Sequence, residues 1–274
     1  MSDARPVADS VLTVDGADLF HRIEGEGSPA VAFVHGWCSH RGHWDAQARH
    51  LAPRHRVLRW DRRGMGASAG APPADGPLRH AADLAAVLDA GDVDEAVVVG
   101  HAGGGPTAVA FAATRPERTR ALVMVDTRLH RPAPPGTPDT LAEGLERSAA
   151  KLGEPGGDAY FERLYRGFFG PAAPAELVDA AVANALATPR PVAASEIRHM
   201  FGDTAAWAAQ VRAPVLWVST TASDTSAVHE WFPAAAAVWV GHVVGSGHFV
   251  QVEVPDQLNA MLDAFLAGPV ADAR

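Results

Sequence analysis

Two rhythms of apolar and polar positions alternate along the chain. Short runs rich in β-branched residues, at 11–14, 19–23, 30–35, 57–60, 96–100, 121–126, 215–219 and 238–243, read as strands. Longer stretches with apolar residues at helical spacing lie between them, at 41–51, 78–89, 103–114 and 255–266. The later strands are continuous apolar runs, the pattern of strands covered on both faces, so the order predicts an α/β protein with a mostly parallel, eight-stranded sheet flanked by helices. Asp15-Gly16, between the first two runs, is a hairpin signal and makes that pair antiparallel.

The rhythm breaks after Asp126. From His130 to about Val211 no strand pattern occurs. A proline-rich entry (Pro132, Pro134, Pro135, Pro138) leads into helical segments at 140–152, 160–169, 174–187 and 192–201. This predicts a core of residues 1–129 and 212–274 with an all-helical cap, or lid, at 130–211. Six cap aromatics (Tyr160, Phe161, Tyr165, Phe168, Phe169, Phe201) are candidates to line a pocket, and Phe168 is taken as a substrate contact. Packing the cap onto the core is the commoner fate of any one of them.

The densest chemical signal is Val97-Val98-Val99-Gly100-His101-Ala102-Gly103-Gly104-Gly105. An apolar strand runs directly into a glycine-rich turn and an alanine-rich helix. Such a turn holds its apex residue in a strained conformation, and small flanking residues let strand and helix approach. Gly100 and Gly104 flank Ala102 with the G-x-S-x-G spacing, alanine standing where serine would be. The helix that follows aims free N–H groups at the apex, which suits a developing oxyanion. A phosphate-binding turn is the competing reading, but the segment matches neither G-x-x-x-x-G-K-[ST] nor a full dinucleotide pattern.

Three further segments fit the same picture. Val31-Ala32-Phe33-Val34-His35-Gly36-Trp37 is a strand ending in His-Gly-aromatic, and its loop is where a second oxyanion N–H, from Trp37, would come from. Asp61-Arg62-Arg63-Gly64-Met65-Gly66-Ala67-Ser68 reads as a structural turn after the next strand. Val244-Gly245-Ser246-Gly247-His248-Phe249 puts a glycine-flanked histidine after the last strand, mobile enough to reach the elbow.

In motif order and spacing the chain resembles the α/β-hydrolase superfamily over nearly its whole length. It is similar in particular to small esterase- and lactonase-like members with a His-Gly-Trp-Cys segment, which cofactor-free 2,4-dioxygenases of quinolone breakdown share. The resemblance implies that Ala102 occupies the nucleophile position, that His248 is the general base of a catalytic triad, and that the N–H groups of Trp37 and Gly103 form the oxyanion hole. It places substrate against His35, Gly36 and Trp37. The acid stands at Asp126, after the sixth strand, or at Asp224, after the seventh; Asp126 is favoured because the Ser219–Asp224 turn lacks the usual glycine and is slightly long. Epoxide hydrolases and haloalkane dehalogenases, with aspartate at the apex, fit less well.

Alanine cannot attack a carbonyl, so acyl-enzyme chemistry is expected to be absent from the chain as written. Either it is a nucleophile mutant of a serine esterase or lactonase, with Ala102 replacing a parental serine, or it is a natural non-catalytic binding protein. The survival of both elbow glycines, His248, two candidate acids and His-Gly-Trp favours the first. A cofactor-free dioxygenase using His248 with Asp126 is the alternative enzyme, although Gly103 stands where those enzymes tend to carry histidine. The aromatic, charge-poor cap favours a bulky apolar ester or lactone.

Composition narrows the rest. The 274 residues suit one large α/β unit with a lid, and the net charge of −9, without a Lys/Arg cluster, argues against nucleic acid as a partner. Cys38 is the only cysteine, so no intramolecular disulfide forms and a reducing cytoplasm is expected. The polar N-terminal residues show no targeting segment, and no stretch is apolar enough to span a bilayer. The 13 histidines form no metal set: His35, His40 and His43 share a loop but match no zinc spacing. No cofactor is expected, and the partner is a small molecule.

Overall fold

In a computed structural model, residues 9–221 and 223–272 are described. Eight strands form one sheet: β1 (Ser10–Val14), β2 (Ala17–Glu24), β3 (Ala30–Val34), β4 (Val57–Trp60), β5 (Ala96–His101), β6 (Thr119–Val125), β7 (Val215–Thr220) and β8 (Val238–Val243). Their spatial order is β1-β2-β4-β3-β5-β6-β7-β8. β1 and β2 pair antiparallel, as do β2 and β4, and every other neighbour is parallel. The β1–β2 turn has positive φ at both Asp15 (46°) and Gly16 (75°), which matches the twist of a two-residue hairpin.

The helices are α1 (Asp45–Leu51), α2 (Pro77–Ala90), α3 (Gly104–Thr114), α4 (Thr140–Gly153), α5 (Gly157–Arg166), α6 (Ala175–Leu186), α7 (Arg190–Arg198), α8 (Thr204–Ala208), α9 (Val228–Trp231), α10 (Val250–Glu253), α11 (Pro255–Ala267) and α12 (Pro269–Asp272). None is long and apolar enough to cross a membrane.

Side chains of a strand alternate between faces, and here both faces are dry. Val98, Leu122 and Met124 face Leu84 and Leu88 of α2 and Val109 of α3. Val97, Val99, Val123 and Val125 face Leu51 of α1 and Leu258, Leu262 and Phe265 of α11. This double burial is why the central strands show no polar alternation.

The expected single helix at 41–51 is divided. A 3-10 turn at Arg41–Trp44 comes first, with the His40 ring accepting from the Gly42 N–H, and α1 follows. Between β6 and β7 the chain is helical. Helices α4–α7 surround a cluster of Leu152, Phe161, Tyr165, Val182, Ala185 and Ile197 that closes on Trp37, Cys38 and Phe249 from the sheet side. Helix α8 belongs to the other layer: Ala208, and Val211 just beyond it, pack with the α2–α3 side of the sheet.

Two kinds of polar tie hold this helical layer down. The Trp37 indole donates to the Ala193 carbonyl at 2.8 Å and the Tyr165 hydroxyl to the Cys38 carbonyl at 3.2 Å. Deeper in, Glu196 of α7 is buried between Arg62 (2.7 Å) and His80 of α2 (2.9 Å). Burial alone would raise the Glu196 carboxyl, but His80 and Arg62 outweigh it and hold it below its usual value.

Candidate active site

The elbow forms because β5 and α3 touch. A Cβ on Gly100 would meet the Gly104 carbonyl, and one on Gly104 would meet the Val34 carbonyl of β3, so neither position has room for a side chain. The chain reverses at Ala102, whose φ of 48° lies in the left-handed region that a residue with a Cβ disfavours. Three bonds secure that conformation: the Ala102 N–H donates to Val125, and its carbonyl accepts from the Gly105 N–H (2.9 Å) and the Thr127 hydroxyl (2.7 Å). The Ala102 side chain lines a cavity of about 270 Å³ beneath the helical layer.

Two backbone donors converge beside it. Neither the Trp37 N–H nor the Gly103 N–H donates to an acceptor among the described residues. The Trp37 nitrogen lies 3.3 Å from where a Gly103 Cβ would be, so the two groups share one corner of the cavity. His35 sets the angle of the first. Its Nε2 accepts from the Arg62 N–H (2.9 Å), so its Nδ1 carries the proton and donates to the Gly36 carbonyl (2.9 Å). Carbonyl and N–H point in opposite directions across a trans peptide, and anchoring the Gly36 carbonyl therefore aims the Trp37 N–H.

Asp126 follows β6 and His248 follows β8, parallel strands on either side of β7 whose C-terminal ends lie at the same edge of the sheet. The Asp126 N–H donates to Val218 of β7, which stops the chain at the end of β6 with φ at 38°. Its Oδ2 accepts from His248 Nδ1 at 2.6 Å, while Oδ1 receives longer contacts from the Thr220 N–H and the Ser223 hydroxyl, each 3.4 Å. Burial pushes the carboxyl up, but the hydrogen bond and charge of His248 prevail and hold it below its usual value. With Nδ1 committed to Asp126, the other ring nitrogen of His248 is left to accept a proton. His248 borders the cavity, with the Phe168 ring centroid 5.3 Å from its own.

The loop carrying His248 is tied to its surroundings by several hydrogen bonds. Its N–H donates to Phe168 (2.6 Å), and its carbonyl accepts from His101 Nε2 (2.8 Å). Glu253 accepts the N–H groups of Gly170, Gly247 and Phe249 at 2.9–3.1 Å, pinning the loop to the segment after α5. Gly247 is glycine because that segment passes against it: a Cβ there would meet the Phe168 carbonyl and the Gly170 nitrogen. Gly245, by contrast, has open space around it and takes a φ of 77°.

Most sequence-selected residues meet at the cavity: Ala102, Gly103, Gly36, Trp37, Asp126, His248 and Phe168 all line it. Asp224 is not among them. It is exposed, and its carboxylate accepts from the Ser226 N–H at 2.9 Å. His35, expected to touch substrate, is fully buried one layer below and positions Gly36. Of the cap aromatics, Tyr165, Phe168 and Phe201 reach the cavity. Phe161 packs on Trp37, Phe169 stacks on Phe249, and Tyr160 lies between Lys151 and Arg163. Sequence reading missed Thr127, Arg128, Leu141, Leu145 and Met200, which also line the cavity. Thr127 and Arg128 come with the end of β6, directly after Asp126, whereas Leu141, Leu145 and Met200 are brought in by α4 and the α7–α8 connection, which no local pattern announces.

This fold and this elbow define an α/β hydrolase, and the chain belongs to that family: a family model described as the alpha/beta hydrolase fold matches residues 29–253. Among curated proteins it is similar to a provisionally named carbamate hydrolase from Azorhizobium caulinodans, 38% identical over 110 residues, which are 40% of this chain and 41% of that one. It is also similar to a bifunctional esterase/perhydrolase from Acinetobacter calcoaceticus, 37% identical over 108 residues, 39% of each chain. The matches span about two fifths of these relatives' own length. In three dimensions it resembles the enol-lactonase from Burkholderia xenovorans LB400, with a TM-score of 0.81, 22% identity, and 94% of this chain and 100% of that chain covered.

Proposed function

We propose that this chain is the nucleophile-less form of a serine hydrolase, with Ala102 replacing a parental serine, and that the parent cleaves a carboxylic ester or lactone through an acyl-enzyme. The observation that carries the reading is the left-handed Ala102 at the elbow, lining the same cavity as a hydrogen-bonded His248–Asp126 pair. With serine at 102, His248 would take the hydroxyl proton, the oxygen would attack the carbonyl carbon, and the Trp37 and Gly103 N–H groups would receive the negative charge on the carbonyl oxygen. The protonated histidine, steadied by Asp126, would return its proton to the leaving alcohol, and water would then release the acid. Hydrolase, esterase and lactonase names among the relatives support the ester or lactone class. The apolar wall of Leu141, Leu145, Met200 and Phe201 supports a substrate with substantial apolar surface.

The test introduces Ala102→Ser and measures hydrolysis of aryl esters and lactones. Turnover is expected, against a background of roughly 10³-fold or more below it in the alanine form. A folded serine form inert to all of them would overturn the reading in favour of a ligand-binding protein. The His248–Asp126 pair needs no serine for proton abstraction, so oxygen consumption by the alanine form with a 3-hydroxy-4-quinolone would instead support a cofactor-free dioxygenase.

A further inference from the structure

Arg128 is the one arginine or lysine lining the cavity among the described residues. It follows Asp126 by two positions, and its neighbour Thr127 donates to the Ala102 carbonyl at 2.7 Å, so the root of its side chain is fixed relative to the elbow. The guanidinium has no hydrogen-bond or ion-pair partner among the described residues, whereas Asp126, the cavity's carboxylate, is committed to His248. The cap cations do not compete for this role. Lys151 and Arg163 lie over the Tyr160 ring, and Arg166 pairs with Glu162 and Asp179.

Arg128 is exposed, so it presents its unpaired charge at the solvent side of a cavity whose lining also includes Leu141, Leu145, Ile197 and Met200. Solvent screens part of that charge, but the planar fork of a guanidinium matches a carboxylate, and the apolar lining offers an incoming anion no competing cation. We infer that the substrate is an anion: an ester or lactone with a free carboxylate that Arg128 receives while the scissile carbonyl lies at the Trp37 and Gly103 N–H groups. This rests on the hydrolase reading and specifies its substrate class.

The experiment compares, in the Ala102→Ser form, the 4-nitrophenyl half-ester of glutaric acid with the same compound capped as its methyl ester. The quantity read is the ratio of their kcat/KM values, so a general loss of activity cancels. The free acid is expected to be favoured about tenfold, because a charge-assisted bond to an exposed group lies at the weak end of its range, and added salt should shrink the ratio. Arg128→Gln should remove the preference and Arg128→Glu should invert it. If all three forms cleave both esters with the same ratio, the inference falls and the hydrolase reading stands. If Ala102→Ser cleaves neither, the hydrolase reading falls. Calorimetry on the alanine form then decides the charge: tighter binding of monomethyl glutarate than dimethyl glutarate, lost in Arg128→Gln, supports the anion site, and equal binding overturns it.

Discussion

His248 Nδ1 donates to Asp126 Oδ2 across 2.6 Å, although 122 residues and the whole helical layer separate them in sequence. Among the described residues, the exposed Asp224 bonds only within its own turn. In an Ala102→Ser background, Asp126→Asn is therefore expected to lower kcat by roughly 10³–10⁴-fold, because the histidine loses its orientation and its countercharge. Asp224→Asn should stay within about twofold of the parent in the same steady-state assay. The reverse ranking would move the acid to the seventh strand.

The left-handed backbone at residue 102 carries a measurable cost. A Cβ in that region costs about 1–2 kcal/mol, and glycine escapes it while losing about 0.5–1 kcal/mol to its freer unfolded state. Ala102→Gly should thus raise stability by about 0.5–1 kcal/mol in urea unfolding, without restoring turnover. A clear loss of stability would show that residue 102 is not strained.

Glu196 is buried with Arg62 and His80 as its partners. Glu196→Ala would leave the Arg62 guanidinium buried without its carboxylate, a change worth about 3–5 kcal/mol. Denaturant unfolding should show a loss of that order. Glu146→Ala, removing an exposed partner of Arg198, should cost less than about 1 kcal/mol.

Burial, with His248 adding to it, depresses His101 to about 3 from the ordinary 6.5. The folded state keeps this imidazole neutral while the unfolded chain protonates it below 6.5, so its contribution is complete above 6.5 and is lost progressively as pH falls towards about 3. His35 and His43, each held well below the ordinary value by burial, act with the same sign. Unfolding should take up protons in that interval and stability should fall through it. His101→Phe should make the slope shallower in urea titrations across the range. An unchanged slope would show that this imidazole does not stay neutral in the fold.

Much of this molecule is legible from residue order. Double-sided strands, the elbow's glycines and the His-Gly-Trp segment are local patterns, each imposed by its own chain geometry. The apolar runs Val97–Val99 and 121–125 announce a sheet buried on both faces, and the Asp15-Gly16 turn announces the antiparallel start. Residue order also places Ala102 at the apex, between the glycines at 100 and 104; a Cβ at 100 would strike α3, and one at 104 would strike the end of β3.

Tertiary structure decides what local pattern leaves open. Asp126 and Asp224 are both eligible acids by position; the bond from Asp126 to Val218, which holds it at the end of β6 and brings its carboxylate to His248, separates them. His35 reads in sequence as a substrate contact, but the direction of its side chain depends on the Arg62 N–H, supplied by a different strand's loop. The apolar lining that Leu141, Leu145 and Met200 add to the cavity arises from helices folding back over the elbow. Such distances depend on how separate layers pack, and packing joins residues that share no period, spacing or motif.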